Sequence, residues 1–153
     1  MRRKMTHMAI ALMALTLATA CGDLSRDNPV DPVAGGQTLG DQLLGAWSRT
    51  DDEKNEIYTF TADRHVELRD FTSLTGGTVD RNATFPTTRV RIFAGIYTLV
   101  GNLLSIRFTQ AQSNDPDEDL RVPSRQKVVE ISIRRDTLTF TESDGKRFYT
   151  RLQ

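Results

Sequence analysis

Beyond residue 21 this chain has no methionine, no cysteine and one histidine, His65. All four methionines (Met1, Met5, Met8, Met13) and the other histidine, His7, fall within the first 20 residues, and Cys21 is the sole cysteine. The body therefore lacks the ligands for a Cys- or His-built metal site, a thiol nucleophile and any pair for a disulfide. Gly-x-Ser-x-Gly, P-loop, Gly-x-Gly-x-x-Gly and His-x-x-x-His motifs are absent too. A triad would need His65, which stands among charged residues at an expected turn and reads as an exposed histidine. The expectation is a protein without catalysis, metal or cofactor.

An excess of one charge is also missing: 20 Lys+Arg balance 20 Asp+Glu in 153 residues. The balance hides an asymmetry. Arg2, Arg3 and Lys4 face no acidic residue in the first 20, so the remainder holds 17 basic against 20 acidic groups. A mildly acidic body argues against nucleic acid as a partner, because phosphate binding needs a basic face. At 38% hydrophobic residues, the chain can bury one modest core.

No apolar run is long enough to span a bilayer. The longest, Met8–Ala20, has 13 residues, which at about 1.5 Å each fall short of a ~30 Å hydrocarbon core. A cationic start, a short apolar stretch and small residues at its end read as a secretory signal peptide over residues 1–20. Leu17-Ala18-Thr19-Ala20-Cys21 resembles the lipobox of bacterial lipoproteins, with Ala18 where leucine is usual. The resemblance implies a lipidated Cys21 as the mature N-terminus, carrying diacylglyceryl and acyl chains such as palmitate. A lone thiol in an oxidising compartment fits that reading, since it has no mate. At ~0.8 kcal/mol per buried CH₂, two or more chains give stable anchoring. Gly22, in place of the aspartate that signals inner-membrane retention, implies the outer membrane.

Residues 21–40 contain Pro29, Pro32, Gly35 and Gly36 without hydrophobic periodicity and read as a lipidated cysteine plus flexible linker. The body is expected over 41–153, with a single helical turn around Leu39–Leu44. From there the pattern is short strands, each with one apolar face: Leu44–Thr50, Glu56–Thr61, Val66 and Leu68, Val90 and Ile92, then Gly95–Val100 and Leu103–Thr109 about a Gly101-Asn102 turn. Val129, Ile131 and Ile133 alternate with polar residues, as do Leu138 and Phe140, and an Asp144-Gly145 turn leads into Arg147–Leu152. Eight to ten such strands make an all-β barrel or sandwich.

Several motifs then carry a resemblance. Gly45-Ala46-Trp47 resembles the Gly-x-Trp that opens the first strand of lipocalins and bacterial lipocalin-like lipoproteins. Tyr58-Thr59-Phe60-Thr61-Ala62-Asp63 is similar to their second strand, with Arg64 in place of the usual glycine. Gly95-Ile96-Tyr97, Gly101-Asn102-Leu103, Asp136–Phe140 and Tyr149–Leu152 complete the order across residues 41–153. The resemblance implies a small antiparallel up-and-down barrel. It further implies structural closure by Gly45, Trp47 and Arg151, the arginine covering the tryptophan at the closed end. The family's disulfide and final helix have no counterpart here.

Two roles follow as expectations. In the first, the barrel binds a small hydrophobic ligand in a cavity lined by Tyr58, Phe60, Tyr97, Leu99, Leu104, Ile106 and Phe108. In the second, it is an interaction or inhibitor module that binds another envelope protein through its loops. Large side chains filling the interior favour the second. Residues 71–86 and 110–126 are the long connections that would form the barrel mouth. The acidic run Asn114–Asp119 reads as a solvated loop rather than a calcium site. Arg89 and Arg91 read as outward charges, an inward pair that binds a carboxylate being the sharper alternative.

Overall fold

The alternation of apolar and polar residues becomes eight antiparallel strands in the computed structural model, which describes residues 37–51 and 54–153. The signal peptide, Cys21 and residues 22–36 of the linker lie outside the described residues. A short helix, α1 (Leu39–Leu43), leads into β1 (Gly45–Thr50), β2 (Asn55–Phe60), β3 (His65–Ser73) and β4 (Thr88–Val100). β5 (Leu103–Ser113), β6 (Lys127–Arg134), β7 (Thr137–Glu142) and β8 (Gly145–Arg151) follow. Each strand pairs with the next, and β8 pairs with β1 through Trp47–Arg151 and Ser48–Thr150, closing the barrel. This is an all-β, closed up-and-down barrel of the lipocalin-like kind.

The helix starts ahead of the expected boundary at Asp41. Thr38 Oγ1 accepts from the Asp41 amide (3.2 Å) and the Asp41 carboxylate accepts from the Thr38 amide (3.0 Å), a capping box that satisfies two free N–H groups. Leu39 and Leu43 are buried against the barrel's end, so five residues of helix act as a plug. The same end carries the β2–β3, β4–β5 and β6–β7 turns. Arg64 in the β2–β3 turn has φ of 66°, the left-handed region that glycine favours, which accounts for the glycine usual at that place in the resembling family.

Residues 88–100, expected as two pieces, form one 13-residue strand. Its continuity depends on Gly95, opposite which β5 carries one extra residue, Thr109: Gly95 pairs with Phe108 and Ala94 with Gln110. A Cβ at Gly95 would stand 2.1 Å from the Arg107 carbonyl oxygen and 2.6 Å from Phe108 Cα, so only glycine admits this approach. β3 and β5 also run further than expected, to Ser73 and Ser113, shortening both long connections.

Candidate functional site

Strands in register place directly paired residues on one face of the sheet, so the inner wall can be read pair by pair. Trp47, Tyr58, Phe60, Val66, Leu104, Ile106, Val129, Ile131, Leu138, Phe140 and Tyr149 form one buried cluster in the half nearest α1. Its aromatic rings touch one another. Tyr58 stacks on Phe60 at 5.9 Å and meets Phe140 and Tyr149 edge-on at 5.5 and 5.6 Å; Phe140 and Tyr149 lie 4.8 Å apart. Such contacts stabilise by about 0.5–1.5 kcal/mol each beyond area burial.

The seven residues expected to line a ligand cavity are thus distributed as core. Tyr58, Phe60, Leu104 and Ile106 are buried in the cluster. Tyr97 meets Phe60 at 5.2 Å and donates from its hydroxyl to the Thr61 carbonyl (2.9 Å). Leu99 packs on the cluster, and Phe108 packs there and against Phe93 at 5.7 Å. Tyr97 and Leu99 also border a shallow cleft of about 500 Å³ beside α1. At this end Trp47 Nε1 donates to the Leu43 carbonyl (2.8 Å), Arg151 lies 4.1 Å over the Trp47 ring, and Gly45 leaves room for the Arg151 guanidinium.

The other half of the inner wall is charged. Beyond the apolar cluster, seven of the eight strands place an ionisable side chain on the inner face: Arg49, Glu56, Asp70, Arg91, Lys127, Glu142 and Arg147. They compensate one another. Lys127 Nζ lies 2.8 Å from Glu142 and 5.1 Å over the Phe140 ring, and Arg147 bonds Glu142 and Asp144. Buried Glu56 accepts from the Tyr149 hydroxyl at 2.7 Å. Burial, with these carboxylates nearby, pushes the Tyr58 and Tyr149 phenols far above their ordinary range.

Arg89 and Arg91 are not outward charges. Asp70 faces Arg91 and Leu68 faces Phe93 across β3–β4, so the odd-numbered positions of β4 point inward. Nor is the acidic run solvated throughout. Glu118 folds back to Arg91 (2.6 Å) and Ser113 Oγ (2.7 Å), and Asp115 lies 3.7 Å from Arg89. The arginine pair binds carboxylates, but those of its own chain. These hydrogen bonds pull the Glu118 carboxyl down to about 2. Asp119 and Arg121 pair in solvent. His65 is exposed and lies 2.8 Å from Asp63.

A second cleft, about 870 Å³, lies at the rim of this charged end, between the β1–β2 turn and the β3–β4 loop. Lys54, Asn55, Asp70, Phe71, Arg81 and Arg91 line it, and none of the seven expected cavity residues does. Among the described residues, no three His, Cys, Asp or Glu side chains gather as a metal site, and no helix is long and apolar enough to cross a membrane.

The architecture defines a class: an eight-stranded closed barrel consistent with a lipocalin-like fold, plugged by a helix at one end and rimmed by charge at the other. Comparison with protein-family models, with curated proteins and with solved structures returns no match.

Proposed function

We propose that this chain is a lipid-anchored protein of the bacterial envelope, in the outer membrane, whose barrel is a non-enzymatic binding module that engages another envelope protein through its open end. The anchor rests on the lipobox-like Leu17–Cys21 and the unpaired cysteine. The mode of binding rests on one observation: the barrel's inner volume is occupied by its own rings, in contact at 4.8–5.9 Å and roofed by paired charges. A lipocalin-like barrel serves ligand carriage or protein recognition equally well as a fold, so the choice falls to the site. A carrier of a small hydrophobic ligand needs a concave apolar hollow. Here Tyr58, Phe60, Leu104 and Ile106 spend that surface on one another, while loops, rim cleft and ionisable groups gather at the open end.

A neutral hydrophobic probe, N-phenyl-1-naphthylamine, tests this choice. The expected result is no saturable binding to the protein. Binding at one probe per chain, weakened by Tyr97→Ala or Phe108→Ala, would overturn the module in favour of the carrier.

A further inference from the structure

One guanidinium at the open end is held in place and, among the described residues, has no counter-ion. Arg81, in the β3–β4 loop, donates from Nε to Asn55 Oδ1 (2.7 Å) and from Nη2 to Thr50 Oγ1 (2.6 Å) and the Arg49 carbonyl (3.4 Å). Its planar face lies over the Phe71 ring at 5.6 Å. Three of its five N–H donors are thereby used. The two on Nη1 meet no acceptor, and no carboxylate stands within ion-pair reach of Arg81, among the described residues.

Its neighbours in the cleft differ. Lys54 faces Asp70 at 3.6 Å, and Arg91 is engaged by Glu118. Partial burial lowers the Arg81 pKa, because the cation has given up part of its hydration. Asn55, Thr50 and Phe71 fix the fork's orientation, so little further side-chain entropy is lost when a carboxylate arrives. Phe71 and Val79 add apolar wall to the same cleft.

We infer that the rim cleft is a carboxylate-binding subsite in which Arg81 Nη1 receives the anion, and that the partner enters with a peptide C-terminus borne on an apolar residue. The inference rests on the open-end reading above. A free aromatic acid offers the same chemistry, so the test separates the two sources.

The full chain in mild detergent, labelled with ¹⁵N, is titrated with N-acetyl-Gly-Gly-Phe, with its C-terminal amide and with phenylacetate, following the Arg81 Nε–H and Val79 amide resonances. The tripeptide acid should shift both saturably, and the amide should bind at least tenfold more weakly. Arg81→Gln should weaken the acid tenfold or more, with the remaining amide spectrum unchanged. Arg81→Lys, which keeps the charge, should fall between, and Arg121→Gln should match the unaltered protein. Equal binding of acid and amide, no saturable shift, or an unaffected Arg81→Gln would overturn the subsite. Phenylacetate binding more tightly than the tripeptide would overturn the peptide as its source. Should the acids fail while a cross-linker at Thr78 still captures a protein, this inference falls alone. Failure of that capture would bring down the open-end reading as well.

Discussion

The guanidinium carbon of Arg151 lies 4.1 Å from the centroid of the Trp47 ring while its two terminal nitrogens donate to the carbonyls of Leu44 and Gln42. One side chain of the last strand therefore clamps the first strand and the C-terminal turn of α1, whose carbonyls no further helical turn can satisfy. Arg151→Ala removes a cation–aromatic contact of about 0.5–2 kcal/mol and hydrogen bonds from a charged donor, for an expected loss of about 2–4 kcal/mol. Arg151→Lys should recover only part, because a point charge cannot reach both carbonyls and the ring. Denaturant unfolding followed by Trp47 emission measures both. An Arg151→Ala protein as stable as the original would show that closure does not depend on the clamp.

Gly95→Ala should be among the most damaging small substitutions in the barrel. The added methyl meets backbone, the Arg107 carbonyl at 2.1 Å, and backbone cannot swing aside as a side chain can. The expected loss is about 3 kcal/mol, the upper end of overpacking costs. Amide exchange should locate the damage in the β4–β5 pairing around Ala94 and Phe108. Uniform loss across the barrel, or none, would contradict the account.

Acid should release the β5–β6 loop. The Arg91 and Ser113 hydrogen bonds hold the Glu118 carboxyl at about 2, below its ordinary 4.5. A carboxylate with a lowered folded pKa contributes above its unfolded value and loses that contribution as pH falls through the folded one. The loop contact should therefore be complete above pH 4.5 and fade toward pH 2. Amide protection over residues 114–119, relative to the intrinsic exchange rate at each pH, should fall in that window, and Glu118→Gln should show the lowered protection at neutral pH. Titration of Glu118 near 4.5 by carbonyl NMR would refute the contact.

Much of the barrel was legible because its strands alternate cleanly. Tyr58 and Phe60, Ile131 and Ile133, and Leu138 and Phe140 each announce one buried face by period two. The charged layer follows the same period and could have been found by extending it one step further. Trp47-x-Arg49, Glu56-x-Tyr58, Leu68-x-Asp70, Lys127-x-Val129, Phe140-x-Glu142 and Arg147-x-Tyr149 all put an ionisable group next in line on the inner face. Arg89 and Arg91 misled for a physical reason. Val90 and Ile92 supply an equally apolar alternate face, and the choice between faces depends on Asp70 and Glu118, which are remote in sequence. Arg81 carried no local signal, since its partners Thr50 and Asn55 belong to β1 and β2, remote in sequence.

Recognition of a protein at the open end can be read out in cells that make this chain. A photo-cross-linking residue is placed at exposed Thr78 beside the rim cleft or at exposed Ala62 in the β2–β3 turn of the plugged end. Irradiation should join the Thr78 variant to one defined envelope protein, while the Ala62 variant yields no such adduct. Equal adducts from both positions, or none from Thr78, would contradict open-end recognition.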